Sequence, residues 1–287
     1  MIVLKTKKEV KNHLSFLQKK SSVSIGFVPT MGALHQGHLS LIRKSLKENT
    51  YTIVSIFVNP TQFNKSEDLE NYPRTLDTDL DLLKNESSQI IVFIPDAKDL
   101  YAQNIISKKY NFEGLDKVME GAFRPGHFEG VATVLEIFFK TILPTRAYFG
   151  EKDYQQLQII KKLIVLLNLN TEIIGCPIMR LDSGLAMSSR NERLSDTQKT
   201  EAALIYKTLQ NVKSKIQTKN TETIIKELTQ YVSNVFDNHP DFELEYFKIV
   251  DSENLQTAQQ IKNDCQYRAF IATYIDNVRL IDNVLIQ

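Results

Sequence analysis

The chain has 287 residues, with 35 Lys plus Arg against 34 Asp plus Glu and a net charge of +1. That balance lacks the basic excess through which proteins grip nucleic acid by its phosphates, so no nucleic-acid partner is expected. Apolar residues make up 42% of the chain, enough for a packed core, and at ~100–200 residues per domain the length suits one large or two modest domains.

Cys176 and Cys265 lie far apart and form no CxxC. They build no zinc site alone and no disulfide framework, and reduced thiols are expected. The opening stretch MIVLKTKKEV meets charge too soon for a signal peptide. The longest later apolar run, 163–167, falls far short of the ~20 residues of a membrane span. A soluble, cytoplasmic protein with no membrane partner is the expectation.

In chain order, residues 2–4 predict a short strand, and Val10, Leu14 and Leu17 recur at helical spacing. Residues 24–30 predict a buried strand, and 38–48 a helix with Leu39, Ile42 and Leu46 on one face. Residues 52–58, TIVSIFV, predict a second buried strand. After a polar loop, 75–84 predicts a short helix with Leu76, Leu80 and Leu83 inward, and 90–95 a third strand. A helix over 128–143 stops at Pro144; strands over 146–149 and 171–179 flank a helix over 154–167.

Strands alternating with helices imply βαβ units, hence a Rossmann-like parallel sheet with helices on both faces. Ligands in such sheets lie beyond the carboxyl ends of the strands. After about residue 185 the pattern changes. Helices are expected near 195–217 and 222–236, the second opening on the polar stretch NTET from 220, with strands over 244–250 and 268–274. This reads as a smaller α+β domain, with a linker in 181–195, and divides the chain into 1–184 and 185–287.

The stretch FVPTMGALHQGH, 27–38, carries the first chemistry. A strand hands over to a helix, whose free N–H groups and positive dipole end attract phosphate. Gly37 allows close approach, and His35 and His38, three apart, can donate to phosphate oxygens from one side. A metal-binding pair or two surface histidines are the alternatives. FGEKDYQQ, 149–156, again opens a helix after a strand. There Gly150 allows approach, Lys152 supplies a charge suited to phosphate, Asp153 an acceptor for ribose hydroxyls, and Gln156 lies one turn further.

In GLAMSSRN, 184–191, two hydroxyls followed by Arg190 suit an anion; the alternative is a polar linker. In FVNPTQF, 57–63, Gln62 offers a donor and an acceptor to a small polar substrate, and Asn59 before Pro60 suits a turn. AFRPGHFEGV, 122–131, adds Arg124, a candidate carboxylate holder, and His127.

These motifs, with YPRT at 72–75 and VRLIDN at 278–283, occur in an order that resembles the pantoate–β-alanine ligases, within the nucleotidyltransferase group that carries an HxGH signature. The resemblance spans nearly the whole chain. It implies ATP-dependent condensation of pantoate with β-alanine to pantothenate, a step toward coenzyme A, through pantoyl adenylate with release of pyrophosphate and AMP. It implies ATP as substrate with Mg2+, and a homodimer.

Carried over, Met31, Gly32, Ala33, Leu34, His35, Gln36, Gly37 and His38 line the ATP site, and Gly150, Glu151, Lys152 and Asp153 contact nucleotide. Met179 lies against adenine. Met187, Ser188, Ser189 and Arg190 close over the triphosphate. His38, His35, Lys152 and Arg190 form the catalytic set, and Gln62 and Gln156 hold pantoate, with Gln62 also close to the path of β-alanine. Two departures stand out. Where many relatives read Glu-x-Asp-Gly, this chain has Arg180-Leu181-Asp182-Ser183-Gly184, and Thr78 separates Asp77 from Asp79 where some relatives carry adjacent carboxylates. Protein ligands for magnesium are therefore left unassigned. The rival readings are another HxGH adenylyltransferase and a non-catalytic nucleotide sensor.

Overall fold

The computed structural model describes residues 1–17, 19, 23–102, 104–218 and 223–286. By its internal packing the chain forms two units. The first holds residues 1–116, 120–151 and 156–177; the second holds 117–119, 152–155 and 178–287.

The first unit begins with β1 (Ile2–Leu4), α1 (Lys7–Leu17), β2 (Ile25–Thr30), α2 (Gln36–Glu48) and β3 (Tyr51–Ile56). It continues through α3 (Ser66–Glu70), α4 (Leu76–Glu86), β4 (Ile90–Phe93), α5 (Ala97–Tyr101) and α6 (Met119–Phe123), whose first residue packs with the second unit. Then come α7 (His127–Ile142), β5 (Arg146–Gly150), α8 (Tyr154–Leu166) and β6 (Glu172–Cys176). The strands form one parallel sheet in the order β1-β4-β3-β2-β5-β6.

Strand β2 shows why helices cover both faces. Its side chains alternate sides. Phe27 meets Phe138 and Phe139 of α7 edge-on, at ring-centroid distances of 5.6 and 6.2 Å. Its neighbour Val28 belongs to a separate buried cluster with Leu39 and Ile42 of α2. The expected Rossmann-like sheet is the observed one.

In that sheet β2 and β5 are neighbours, with Gly26 beside Arg146 and Phe27 beside Ala147. From β2 the chain proceeds to β3 and β4 on one side, and from β5 to β6 on the other. Their carboxyl ends therefore flank the point where strand order reverses, the usual ligand crevice of such sheets.

The second unit contains α9 (Asp196–Glu201), α10 (Ala203–Thr218), α11 (Ile224–Asp237) and an antiparallel sheet of β7 (Phe242–Asp251), β8 (Tyr267–Ile275) and β9 (Val278–Leu285). Helix α10 packs on β8 and β9, and α11 on β7. Leu209, Val212, Leu228, Val232, Ala269 and Ile271 sit in its core. This is the expected small α+β architecture.

Several local expectations differ. The helix expected over 195–217 is broken at Ala202 into α9 and α10. Residues 220–222, which were to open the next helix, lie outside the described residues. Strand β9 had not been expected. Leu76, expected inward, is 41% exposed, while Asp79 on the same helix is 1% exposed, because a loop in the first unit uses its carboxylate. Among the described residues no helix is long and apolar enough to cross a membrane.

The candidate active site

The loop after β2 is held by a buried carboxylate. Gly32 and Ala33 both adopt positive φ, 84° and 49°, which turns consecutive N–H groups the same way. Asp79 Oδ2 accepts from Ala33 N at 2.9 Å and Oδ1 from Leu34 N at 2.8 Å, with the Thr75 hydroxyl donating to Oδ1 at 3.2 Å. A Cβ on Gly32 would lie 3.0 Å from the Asp79 carboxylate, so glycine suits both the backbone and the close approach.

Helix α2 starts two residues earlier than expected because His35 caps it. The ring Nδ1 of His35 accepts from Gly37 N at 3.1 Å, and Nδ1 of His38 accepts from His35 N at 3.4 Å, a reciprocal capping box. A ring nitrogen that accepts carries no proton, so each neutral imidazole bears its proton on Nε2. The two rings lie 4.1 Å apart at 36°. The two Nε2–H groups thus belong to neighbouring rings at the positive end of a helix.

Gln62 sits in a 3₁₀ turn over Pro60–Gln62. Its side-chain amide donates to Met31 Sδ at 2.9 Å, bringing a residue assigned to pantoate against one assigned to ATP. Asn59, 1% exposed, organises the turn. Its Oδ1 accepts from the Thr61 and Tyr101 hydroxyls at 3.0 and 2.6 Å, and its amide donates to Gln62 Oε1 at 3.2 Å and to Gly130 O at 3.1 Å.

From the other side His127 Nδ1 donates to the Gln62 carbonyl at 2.8 Å. Arg124 lies 3.2 Å from His127 Nε2 and 3.6 Å from Glu120. Its guanidinium is engaged with protein groups that steady Gln62. A Cβ on Gly130 would fall 2.2 Å from the Thr61 carbonyl oxygen; only glycine lets α7 approach this turn so closely.

At the end of β5, a Cβ on Gly150 would meet no atom within 4 Å, and its φ is not positive. Neither packing nor backbone requires glycine there, which leaves room for a ligand. Gln156 is half-buried and makes no side-chain hydrogen bond among the described residues. The Cys176 thiol at the end of β6 is pushed up to about 11 by burial.

The second unit holds the remaining candidates. Lys152, with a side chain 17% exposed, lies 3.7 Å from the exposed Asp153. Met179 is 41% exposed. The chain folds back on itself over 179–187: Met187 N donates to Met179 O at 2.9 Å, and Arg180 and Ala186 form a β-bridge. Ser188 then caps a 3₁₀ turn over Ser189–Arg193, accepting from Arg190 N at 3.3 Å. Arg180 forms a paired ion bridge with Asp282 of β9, at 2.6 and 2.9 Å, and its guanidinium lies 3.7 Å from the Tyr206 ring centre. Burial pushes the Asp282 carboxyl above its ordinary 3.8, against the lowering pull of Arg180.

Asp79, weighed only beside Asp77 as a metal carboxylate, and Gly130, Asp282 and Asn283, quoted only inside motifs, had been given no role in holding the site. Asp79 has a faint signal, as a carboxylate on the apolar stripe between Leu76 and Leu83; Asp282 and Asn283 interrupt the apolar run LIDNVLI.

The fold is that of a doubly wound nucleotide-binding enzyme whose glycine- and histidine-rich loop follows β2 at the switch point. The family model described as pantoate-beta-alanine ligase matches residues 2–285. A pantothenate synthetase of Christiangramia forsetii is 54% identical over 269 residues, covering 94% of each chain. Among solved structures, a pantothenate synthetase of Thermus thermophilus is similar with a TM-score of 0.88 and 34% identity, covering 100% of this chain and 99% of that one. A pantoate–β-alanine ligase of Francisella tularensis, solved in complex with β-γ ATP and β-alanine, is similar with a TM-score of 0.79 and 38% identity, covering 99% and 97%. The chain belongs to the pantoate–β-alanine ligase family, and is a ligase.

Proposed function

We propose that the chain condenses pantoate with β-alanine through a pantoyl adenylate. The pantoate carboxylate attacks the α-phosphorus of ATP and pyrophosphate leaves. The β-alanine amine then attacks the acyl carbon, AMP leaves with the C–O electron pair, and the amine sheds a proton as pantothenate forms. The observation that carries this reading is the placement of two motif loops at the carboxyl ends of the adjacent strands β2 and β5, with Gln62 touching Met31.

In the first unit, Met31 to His38 bind ATP, and His38 Nε2–H with His35 stabilises charge developing on the α-phosphate. Gln62 and Gln156 orient pantoate, and Gly150 with Glu151 lies against nucleotide. In the second unit Lys152 contacts phosphate, Asp153 ribose and Met179 adenine, while Met187 to Arg190 bind the triphosphate. Neither half-reaction calls for an enzyme nucleophile; positioning and charge stabilisation carry the rate.

Magnesium enters as part of the ATP substrate. Among the described residues no group of three or more His, Cys, Asp and Glu is placed to hold a metal, and Asp79 is occupied by backbone N–H groups. Water and triphosphate oxygens suit an ion that dehydrates reluctantly. A homodimer working in the cytoplasm completes the reading, with sedimentation of the purified chain as the check on its assembly.

The test is an assay for AMP with ATP, pantoate and β-alanine, leaving out each in turn, alongside pyrophosphate exchange into ATP. AMP release should need all three, and exchange should need pantoate but not β-alanine. Exchange supported by nicotinamide mononucleotide in place of pantoate would favour the adenylyltransferase reading instead.

A further inference from the structure

Two adjacent residues of β9 reach the two phosphate-directed segments of the second unit from opposite faces of one strand. Successive strand residues point to opposite sides. Asp282 shares a side with Leu280 and Val284, which belong to the helix-covered core. There it takes both nitrogens of Arg180, whose guanidinium lies over Tyr206 of α10. Arg180 also donates to Gly184 O at 3.0 Å. This fastens the 179–187 fold-back from which Met187 to Arg190 extend.

Asn283 faces the other way. Its amide donates to the Lys152 carbonyl at 2.9 Å, and its Oδ1 accepts from Arg268 Nη1 at 2.6 Å. Arg268 is 7% exposed and stands diagonally across from Asn283 in the β8–β9 register. Its guanidinium lies 3.9 Å from the Tyr154 ring centre. The Tyr154 hydroxyl donates to Ser252 O at 3.1 Å, and Gln155 Nε2 to Val118 O at 2.8 Å. Residues 152–155 therefore belong to the second unit because Asn283, Arg268 and Ser252 hold them there.

We propose that Asp282 and Asn283 are positioning residues for adenylation: Asn283 sets the backbone from which Lys152 reaches phosphate, and Asp282 sets the fold-back that presents Met187 to Arg190. Neither touches a reacting atom. The proposal rests on the assignment of Lys152 and Arg190 to phosphate given above.

Asn283→Asp is the discriminating variant. It keeps an acceptor for Arg268, and so the fold, but turns the donor facing the Lys152 carbonyl into a second acceptor. Pyrophosphate exchange measures adenylation, and β-alanine attack on chemically prepared pantoyl adenylate measures the second step. Because displacement of a catalytic group by about 1 Å can cost 100-fold, adenylation should fall about 10- to 100-fold while the second step stays within about twofold. Asp282→Asn, which keeps the shape but loosens Arg180, is a second, independent arm with the same expected split.

Wild-type adenylation in Asn283→Asp, or equal losses in both steps at an unchanged unfolding midpoint, would overturn the proposal. Lys152→Ala separates the two ideas. If it is impaired and Asn283→Asp is not, positioning fails and the phosphate assignment stands. If Lys152→Ala adenylates normally, the assignment fails and the positioning role goes with it.

Discussion

The carboxylate of Asp79 accepts the backbone N–H of Ala33 at 2.9 Å, joining the first turn of α4 to the loop that follows β2. The other oxygen takes Leu34 N, so one side chain satisfies two donors in a stretch with positive φ. Asp79→Asn keeps the shape but leaves one N–H facing an amide instead of an oxygen. An unsatisfied buried group of this kind costs about 1–3 kcal/mol. Denaturant unfolding should register that loss, and KM for ATP should rise with it. A variant of full stability and unchanged KM would deny the loop its anchor.

Gly130 packs against the turn that carries Gln62, the residue proposed to hold pantoate. A side chain there meets the Thr61 carbonyl at 2.2 Å and the Gln62 Cα at 2.8 Å, both backbone positions that cannot rotate away. Gly130→Ala should cost about 1–3 kcal/mol of stability through overpacking. It should also raise KM for pantoate more than KM for ATP, because the displaced turn carries Gln62. Steady-state kinetics with each substrate varied in turn provides the comparison.

His38→Ala removes one preorganised donor from the start of α2. Loss of a donor of this type raises a barrier by roughly 2–4 kcal/mol, and single-turnover formation of pantoyl adenylate should slow accordingly. The helix also loses half of its reciprocal cap, at about 1 kcal/mol, which leaves the fold intact. Wild-type single-turnover rates would take His38 out of the mechanism.

Acid should expose a buried carboxylate on α7. Glu136, 5% exposed, accepts from Lys140, Tyr110 and Lys108 at 2.7, 2.6 and 2.9 Å. Burial raises its pKa, but the three donors outweigh burial and hold it at about 2 against an ordinary 4.5. The folded value is depressed, so its stabilisation is complete above pH 4.5 and drains away as pH falls toward 2. The unfolding midpoint should drop across that window. Glu136→Gln should flatten that part of the profile while lowering stability by about 1–3 kcal/mol at neutral pH. An identical acid slope in both proteins would contradict the assignment.

Much of the first unit could be read from pattern alone, because its parallel strands are buried on both faces and appear as apolar runs such as TIVSIFV between amphipathic helices. Strand β9 escaped notice because Asp282 falls on the apolar face between Leu280 and Val284 and Asn283 follows it; both are buried, with partners at 180, 268 and 152. Helix α2 was expected to begin at His38 rather than Gln36, since histidine is not among the usual capping residues. In the site, residue type alone marked His35, His38, Gln62 and Lys152 as chemically suited. Apart from the nearby Asn59, what holds Gln62 and Lys152 comes from sequence positions 127, 130, 268 and 283, and no local pattern announces contacts of that range.

The tetrapeptide 152–155 is encoded in the middle of the first unit, yet it packs with residues more than ninety positions downstream. A crossover between two diverged genes of this family near codon 180 would pair one parent's Lys152 and Tyr154 with the other parent's Ser252, Arg268 and Asn283. Such hybrids should inherit mismatched supports beneath the segment proposed to contact nucleotide even when each parental segment folds well, so these distant stretches of the gene should vary in concert.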